Sequence, residues 1–273
     1  MTDALLDQAA AALSSAGALV VAAGAGMGVD SGLPDFRGDK GFWRAYPPFR
    51  TLGLSFVDLA NPRWFDRDPS LAWGFYGHRM HLYRDVVPHV GFDVLQRWGQ
   101  RLGGAAVFTS NVDAQFQRSG FDTVCEVHGS IHHLQCVATC HDAIWTAEGV
   151  DVVIDPETFR AREPLPRCPR CNGLARPNVL MFGDGGWLPD RTSRQERALE
   201  QWLMDAADPI VIVECGAGTA VPTVRWFSER LARGRHGTLI RINPREDHGP
   251  AGTIGIPMGA AEALTAIDQR LAA

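Results

Sequence analysis

The sequence lacks the features that would point to a membrane, an export route or a nucleic acid. No apolar run approaches the roughly 18 residues that a helix needs to cross a bilayer. The first residues include acidic side chains and no leading positive cluster, so they do not resemble an export signal. A formal net charge of −5 leaves no basic excess to bind nucleic acid. We therefore expect a cytoplasmic protein with no nucleic-acid partner and no membrane partner.

Cysteine is scarce, but its placement is informative. Four of the six cysteines form two close pairs, Cys136 with Cys140 and Cys168 with Cys171. In a cytosolic chain, such pairs bind metal more often than they form disulfides. Two thiolates from each pair can complete the tetrahedral shell of Zn²⁺ and leave no open position for water. The spacing predicts a structural zinc site, and the alternative is four unrelated thiols.

The remaining sequence alternates between two kinds of segment. With 273 residues and 45% hydrophobic content, the chain can form one large domain and a smaller one. Short apolar runs, typical of strands buried on both faces, alternate with helix-like stretches. This alternation predicts a Rossmann-like, doubly wound α/β fold with a parallel sheet. The predicted strands are residues 18–23, 105–109, 124–127, 209–214 and 238–243, and the main predicted helices are residues 92–102, 193–207, 221–233 and 260–271.

Two regions interrupt this alternation. The first is rich in Trp, Phe, Pro and Arg, and the second contains the paired cysteines. We expect both to form a smaller inserted domain that is helical and binds zinc. The predicted Rossmann-like domain comprises residues 1–36, 87–131 and 177–273, and the predicted small domain comprises residues 37–86 and 132–176.

A glycine-rich turn, Gly24-Ala25-Gly26, follows the first predicted strand. Glycines at this position permit a tight turn and let backbone N–H groups approach a pyrophosphate. Pro34 prevents a long helix from continuing after the turn, unlike in a dehydrogenase. A loop with an acid, an aromatic and an arginine comes next, at residues 35–37. It suits closure over a ligand, and the alternative is a packed surface loop.

One histidine differs from the other eight by its position. His128 ends a strand-like run and precedes Gly129. Open α/β sheets place their chemistry at the carboxyl ends of parallel strands. An imidazole that titrates near pH 6.5 suits a general base there. His132 and His133 are weaker candidates because they lie at the entry to the cysteine pairs.

Several segments together resemble one family. Residues 24–38 resemble the sirtuin signature, a GAG turn followed by S-G-x-P-D-F-R-G. Residues 109–113 (TSNVD) resemble the family's T-Q-N-x-D, residues 126–129 (EVHG) its E-x-H-G, and residues 176–184 (RPNVLMFGD) its R-P-x-V-x-x-F-G-[ED]. G-T and I-N contacts follow at Gly218-Thr219 and Ile242-Asn243. Motifs in this order over nearly the whole chain are far more specific than any one of them.

The resemblance implies an NAD-dependent protein-lysine deacylase. Such an enzyme passes the acyl group of a modified lysine to ADP-ribose and releases nicotinamide, with NAD as co-substrate, structural zinc and an acyl-lysine protein or peptide as partner. His128 would be the base, and Asn111 would share the catalytic site and hold the ribose. The implied NAD contacts are Gly24, Ala25, Gly26, Asp35, Phe36, Arg37, Ser110, Asn111, Val112, Asp113, Gly218, Thr219 and Asn243. The implied contacts of the substrate backbone are Val179, Phe182 and Gly183, by strand addition.

The first interruption contains a further pair of interest. In a helix, Tyr76 and Arg79 would share one face, three residues apart. An arginine fork with a nearby phenol is suited to a carboxylate. The pair resembles the Y-x-x-R of sirtuins that remove succinyl, malonyl or glutaryl groups. We therefore predict activity on acidic acyl-lysines as well as acetyl-lysine; the alternative is a solvated arginine beside a packed tyrosine.

The sequence departs from the family pattern at several positions. Ser110 replaces the usual glutamine, residues 114–116 (AQF) replace G-L-H, and Ala220 replaces a serine. These changes bear on substrate and rate more than on the class of cofactor. Two other functions stay open: mono-ADP-ribosyl transfer or NAD hydrolysis on the same scaffold, and a zinc-bearing binding module without activity. The oligomeric state is also open, a monomer being one option.

Overall fold

The computed structural model describes residues 2–34 and 38–272. Its strands are β1 (Ala18–Ala23), β2 (Ala105–Thr109), β3 (Thr123–Glu126), β4 (Gly129–Cys136), β5 (Trp145–Thr146), β6 (Ala175–Val179), β7 (Ile210–Cys215), β8 (Thr238–Ile242) and β9 (Ile254–Ile256). Its α-helices are α1 (Thr2–Ser14), α2 (Gly38–Ala45), α3 (Pro47–Thr51), α4 (Phe56–Leu59), α5 (Arg63–Arg67), α6 (Pro69–Asp85), α7 (Val90–Arg101), α8 (Gln115–Arg118), α9 (Asp190–Asp205), α10 (Thr223–Gly234) and α11 (Ala260–Ala272). A 3₁₀ helix covers Ala25–Ser31.

The larger sheet has six strands in the order β3-β2-β1-β7-β8-β9. Every neighbouring pair in it is parallel. From β1 the chain builds outward through β2 and β3 in one direction, and later through β7, β8 and β9 in the other. A crevice forms where the direction reverses, between the carboxyl ends of β1 and β7, and this is where such sheets bind ligands. The predicted doubly wound parallel sheet is confirmed.

The central strand β1 is buried on both faces, as its unbroken apolar sequence predicts. Leu19 and Val21 face a cluster that includes residues of α1, α7 and α11. Ala18 and Val20 face the opposite cluster, which includes residues of α9 and α10. Complete burial of a valine or leucine side chain contributes about 1.5–3 kcal/mol. The sheet is thus held between two helical layers, and its loops are free to form a site.

A second sheet is antiparallel, with the order β5-β4-β6. The sequence analysis did not predict these strands, nor β9 at the edge of the larger sheet. The reason lies in their composition, because β4 reads GSIHHLQC and β6 reads ARPNV. Histidine, glutamine, proline and asparagine carry little strand preference on their own. Pairing with each other, not local propensity, makes β4 and β6 strands.

The two interruptions of the strand–helix rhythm share one apolar cluster. Its aromatic centre includes Phe42, Tyr46, Phe49 and Phe75, with ring centroids 5.3–6.1 Å apart. Trp73 on α6 donates its Nε1–H to the Ala175 carbonyl on β6 at 2.9 Å, which ties one interruption to the other.

The boundaries suggested by the sequence, at 131/132 and 176/177, fall inside β4 and β6, which pair with each other. The division into two domains stays a prediction. Among the helices of the described residues, none is both long and apolar enough to cross a membrane.

Candidate active site

A cavity of about 850 Å³ opens at the carboxyl ends of the central strands. Its size lies within the range of small-molecule and cofactor sites. The loops after β1, β2, β3, β7 and β8 all contribute to it, together with α4, α6 and the segment after β6. Its lining includes Gly24, Ala25, Leu33, Pro34, Phe56, Tyr76, Arg79, Tyr83, Ser110, Asn111, Val112, Asp113, His128, Val179, Leu180, Met181, Phe182, Gly216, Ala217, Gly218, Thr219, Arg245 and Glu246.

The glycine turn after β1 packs directly against the turn after β7. Gly26 donates its N–H to the Gly216 carbonyl at 3.0 Å, and Gly24 donates to the Cys215 carbonyl at 3.0 Å. Gly216 has a φ of +63°, and a Cβ there would lie 2.4 Å from the backbone of Gly26 and Met27. Only glycine allows this approach. The two turns therefore form one continuous floor, with Gly24 and Ala25 in the lining and Gly26 behind it.

The 3₁₀ helix after the turn is short and ends at Ser31, before Pro34. Gly32 has a φ of 90° and donates its N–H to the Val29 carbonyl at 2.9 Å. This left-handed residue reverses the chain toward the cavity, which Leu33 and Pro34 line. The three residues expected to order and cover the cofactor, Asp35, Phe36 and Arg37, lie outside the described residues. Their role stays a prediction.

The loop after β2 is tied to the glycine turn. Asn111 donates its Nδ2–H to the Gly24 carbonyl at 3.0 Å, and its own N–H bonds to Thr109 Oγ1 at 3.0 Å. Ser110 donates its N–H to the Ala23 carbonyl at 3.1 Å. These bonds leave the Asn111 carboxamide oxygen as an acceptor at the cavity wall. Ser110, Asn111, Val112 and Asp113 all line the cavity. Their contacts with a cofactor stay a prediction.

Asp113 is almost fully buried at the inner end of the cavity. Its Oδ1 accepts the Gln115 backbone N–H at 3.0 Å, and its Oδ2 lies 3.3 Å from Gln115 Nε2. Burial raises the pKa of this carboxyl, while the Gln115 hydrogen bonds and the charges of Arg79 and Arg118 oppose the rise. The N-cap residue of α8 is Ala114, which makes no side-chain capping bond, so the bonds between Asp113 and Gln115 form a local turn before the helix. Asp113 also lines the cavity.

His128 follows β3 and lines the same cavity. The preceding strand is anchored because Glu126, at the start of the EVHG motif, forms a buried ion pair with Arg191 on α9. The His128 carbonyl accepts the Leu180 N–H at 2.9 Å. Burial lowers the pKa of the imidazole, and a hydrogen bond with the Ser110 backbone partly opposes this. The ring is therefore neutral near pH 7, the form that accepts a proton.

His132 and His133 do not line the cavity. The His132 Nε2 lies 3.1 Å from the Asp113 carbonyl oxygen, so its ring is engaged behind the loop after β2. This agrees with their lower ranking as bases.

Tyr76 and Arg79 lie on α6 and both line the cavity. Both side chains are buried, so the alternative of a solvated arginine does not hold. The Arg79 guanidinium carbon lies 5.2–5.8 Å from the ring centroids of Phe56, Phe75, Tyr76 and Tyr83. Such rings stabilise a cation through their faces. The Tyr76 hydroxyl has no hydrogen-bond partner among residues 2–34 and 38–272, although it is shielded from solvent.

The segment after β6 forms the opposite wall, with Val179 and Phe182 in the lining and Gly183 outside it. The backbone N–H groups of Leu180 and Phe182 bond to the His128 and Ala60 carbonyls at 2.9 and 2.8 Å. Both donors are therefore used internally, so strand addition would have to use other backbone groups. Pairing with a substrate backbone stays a prediction.

The far end of the cavity is built by the loops after β7 and β8. Gly218 and Thr219 line it, but Asn243 is fully buried below. Its Nδ2–H bonds to the Ala217 carbonyl at 2.9 Å, and its Oδ1 accepts the backbone N–H groups of Arg245 and Glu246. The structure thus gives Asn243 a loop-holding position, and the direct NAD contact expected of it stays a prediction.

Glu246 and Arg245, which the sequence motifs do not include, also line this wall. Glu246 Oε1 accepts the Thr219 hydroxyl at 2.5 Å, so its carboxylate lies over the Gly218–Thr219 turn. A carboxylate beyond a nucleotide-binding strand suits ribose hydroxyls. The signal was available, since both residues follow the I-N pair by only two and three positions. Together with the glycine floor, this donor and acceptor set fits a dinucleotide.

The four paired cysteines come together at one end of the antiparallel sheet. Cys136 ends β4, and Cys168 and Cys171 lie on the turn that leads into β6, which pairs with β4. Their Sγ atoms all lie within 4.8 Å of one another, with two separations of 3.7 Å, Cys136 to Cys171 and Cys140 to Cys168. Zinc–sulfur bonds of 2.3 Å in a tetrahedron require separations of roughly 3.8 Å. The residues therefore fit zinc.

Cys125 and Cys215, the two cysteines outside the pairs, are buried in β3 and β7 as apolar residues.

Comparison with known proteins gives consistent results. A model of the Sir2 family matches residues 24–223. The chain is 32% identical to NAD-dependent protein deacylase 1 of Pseudomonas aeruginosa over 254 residues, which cover 89% of this chain and 93% of that protein. It is 36% identical to NAD-dependent protein deacylase sirtuin-5, mitochondrial, of Danio rerio over 181 residues, or 61% of this chain and 57% of that protein.

Two solved structures extend this similarity to the fold. A Sir2 homolog–NAD complex superposes with a TM-score of 0.72 at 28% identity, covering 97% of this chain and 93% of the other. A mutant Sir2 homologue in complex with ADP-ribose has a TM-score of 0.71 at 28% identity, covering 97% of this chain and 96% of the other.

Proposed function

Because the chain belongs to the Sir2 family, we propose that it is an NAD-dependent protein-lysine deacylase. The family match confirms the resemblance drawn from the motifs. NAD is the co-substrate and supplies an activated nicotinamide–ribose bond and the ADP-ribose that accepts the acyl group. The observation that carries the proposal is one cavity, at the switch point of the parallel sheet, that joins the glycine floor, His128 and a buried arginine.

His128 acts as the general base. Its lowered pKa keeps the imidazole neutral near pH 7, so it can take a proton from a ribose hydroxyl. His128 follows the carboxyl end of β3 and lines the same cavity as Gly24 and Ala25, which supports its role beside a bound ribose.

Asn111 and Asp113 position the sugar and the nicotinamide carboxamide. The Asn111 amide is fixed by its bond to the Gly24 carbonyl, so its oxygen can accept from a ribose hydroxyl. Asp113 is buried and held by its hydrogen bond from Gln115, so its carboxyl group can accept a hydrogen bond from the carboxamide N–H of nicotinamide. Holding reactants in one geometry contributes a large part of such catalysis. Gly24 and Ala25 in the floor bind the phosphates of NAD. Glu246 accepts hydrogen bonds from the second ribose, the one that does not carry nicotinamide.

The substrate lysine enters between α4 and the segment after β6. Phe182 is 38% exposed and Leu180 is 37% exposed, although both line the cavity. Apolar side chains at a cavity mouth suit the aliphatic stem of an acylated lysine. Arg79 and Tyr76 lie further in and receive the acyl group. Their buried cation and phenol suit an acyl chain that ends in a carboxylate, so succinyl- and malonyl-lysine are substrates beside acetyl-lysine.

The two other functions are less well supported. Mono-ADP-ribosyl transfer or NAD hydrolysis would not require the inner acyl pocket, and the curated relatives are named as deacylases. A binding module without activity would not require a buried base beside the glycine floor. We also propose a cytoplasmic location, because a four-thiolate zinc site needs reduced cysteines.

One experiment separates these functions. The zinc-containing protein is mixed with NAD and a panel of acetyl-, succinyl-, malonyl- and butyryl-lysine peptides, and the products are identified by mass spectrometry. Formation of O-acyl-ADP-ribose supports the deacylase. ADP-ribose formed without any peptide would indicate hydrolysis, and label retained on protein would indicate transfer; either as the main product would contradict the proposal.

A further inference from the structure

A third residue on α6 joins the acyl pocket. Tyr83 follows Tyr76 and Arg79 at helical spacing, so the three side chains share one face of α6. All three are buried and line the cavity. The Tyr83 hydroxyl accepts from Arg79 Nε at 3.1 Å and from Arg79 Nη2 at 2.8 Å. Tyr83 lies outside the Y-x-x-R motif formed by Tyr76 and Arg79.

The pattern of these two bonds defines how Arg79 is held. A guanidinium has two edges that can each form a pair of parallel bonds, one through Nε and Nη2 and the other through Nη1 and Nη2. The Tyr83 oxygen takes both donors of the first edge. This fixes the plane and rotation of the guanidinium, whose planar fork has the geometry that matches a carboxylate.

Tyr83 also keeps a proton to donate. Burial raises the pKa of Tyr83 despite the neighbouring Arg79, so its phenol is neutral at pH 7. Because the oxygen already accepts two N–H bonds, its O–H must point elsewhere. The Tyr76 hydroxyl, shielded and without a partner among residues 2–34 and 38–272, is a second donor in the same pocket. A buried hydroxyl without a partner is destabilising, and an incoming acceptor removes that cost.

We propose that Tyr83 is a specificity-determining residue that orients Arg79 for acyl groups ending in a carboxylate. The inference rests on the proposed deacylase function and deepens it. Tyr83 acts through Arg79, so it is a positioning residue. Tyr83 thereby lets the pocket distinguish succinyl-lysine from neutral acyl chains of similar length. Only a carboxylate can accept paired N–H bonds from the guanidinium that Tyr83 holds in place.

The test is Tyr83→Phe, which removes one oxygen and keeps the ring. A hydrogen bond to a charged group contributes enough for an effect of roughly 10- to 100-fold. We expect kcat/KM for succinyl-lysine peptide to fall by about this factor, mainly through KM, while kcat/KM for acetyl- and butyryl-lysine peptides changes less than about twofold. Tyr83→Gln, which retains an acceptor oxygen for Arg79, should recover part of the loss.

Tyr46→Phe is the matched control. Tyr46 is the remaining tyrosine, equally buried, and its hydroxyl lies 3.2 Å from His78 Nδ1 outside the cavity lining. Its loss should leave the ratio of succinyl to acetyl activity unchanged. An equal fall for all acyl chains in Tyr83→Phe, or the same ratio change in Tyr46→Phe, would overturn the inference.

The outcome also distinguishes this inference from the proposed function. If the wild-type protein uses NAD to deacylate acetyl- but not succinyl-lysine, the deacylase function stands and the inference about Tyr83 fails. If the wild-type protein deacylates no peptide, both fail. If Tyr83→Phe does not fold, Tyr83→Gln is compared with the wild type. Its succinyl-to-acetyl ratio of kcat/KM should fall, but by less than the ratio falls in Arg79→Gln, and an unchanged ratio would overturn the inference.

Discussion

Arg176 and Asp184, at the two ends of one sequence motif, form a buried two-bond ion pair. Arg176 Nη1 and Nη2 donate to Asp184 Oδ2 and Oδ1 at 2.7 and 2.9 Å, and neither side chain is more than 2% exposed. Asp184 Oδ2 also accepts the Met181 N–H at 3.3 Å. The pair joins the two ends of the segment 177–183 and so restricts its conformation. Val179 and Phe182 on that segment line the cavity, so this pair shapes the wall beside His128.

Removing Arg176 should unfold the wall and destabilise the protein. Arg176→Met leaves the Asp184 carboxylate buried without its cation, which costs about 3–5 kcal/mol. Urea unfolding should show a loss of this size. Arg162→Met is the control, because Arg162 pairs with Asp155 at the surface with 64% of its side chain exposed, and such pairs contribute little. Equal losses for the two variants would contradict the assigned importance of the buried pair.

Gly216→Ala should push apart the two turns, after β1 and after β7, that form the glycine floor. An alanine Cβ would lie 2.4 Å from the Gly26 backbone, at a φ of +63° that alanine rarely adopts. We expect the dissociation constant for NAD to rise by roughly tenfold or more. Isothermal titration calorimetry measures it, with Gly185→Ala as control, since nothing lies within 4 Å of a Cβ there. Wild-type affinity in Gly216→Ala would show that the floor does not hold the cofactor.

The pH dependence of the rate should report a base with a lowered pKa. Burial shifts the pKa of His128 down from 6.5, so its protonated form accumulates only below that value. As the pH falls, kcat/KM should therefore decline with a midpoint below 6.5. Asp113 has a raised pKa and could also titrate in acid, so Asp113→Asn serves as the comparison and should retain the decline. A midpoint above 6.5 in both proteins would contradict the assignment.

His141 should help to retain zinc. Its Nδ1 accepts the Ala143 N–H at 3.0 Å, so the proton resides on Nε2, which lies 3.3 Å from Cys168 Sγ. An N–H donated to a thiolate disperses charge on a four-thiolate site, and such outer contacts alter metal affinity by about 10- to 100-fold. His141→Ala should release zinc to a chelator faster. His248→Ala, at a side chain 93% exposed, should not; identical release from both variants would exclude the role.

The sequence predicts the central strands of the parallel sheet because they depend on local patterns of apolar residues. The runs at 18–23 and 105–109 coincide with β1 and β2, since a strand buried on both faces must be apolar throughout. The Cys136 and Cys168 pairs likewise indicate their site through spacing alone. Predicted helices are displaced by a few residues, as with α9, which begins at Asp190 and not at 193.

Features that depend on distant partners could not be predicted. The strands β4 and β6 carry polar residues and a proline, and they exist because they pair with each other. Ala114 adopts a φ of 59° at the position where the sirtuin pattern has glycine. This left-handed conformation costs about 1–2 kcal/mol for a residue with a side chain, and the neighbouring residues do not predict it.

The proposed function requires that the nicotinamide–ribose bond of NAD is cleaved in this cavity once for each acyl group removed. The most direct measurement incubates the zinc-containing protein with NAD and an acylated peptide, and counts nicotinamide, O-acyl-ADP-ribose and free lysine peptide over time. We expect one of each per turnover in the wild type, and a loss of O-acyl-ADP-ribose by about 10²- to 10⁴-fold in His128→Ala. Deacylated peptide without nicotinamide, or full product formation in His128→Ala, would contradict it.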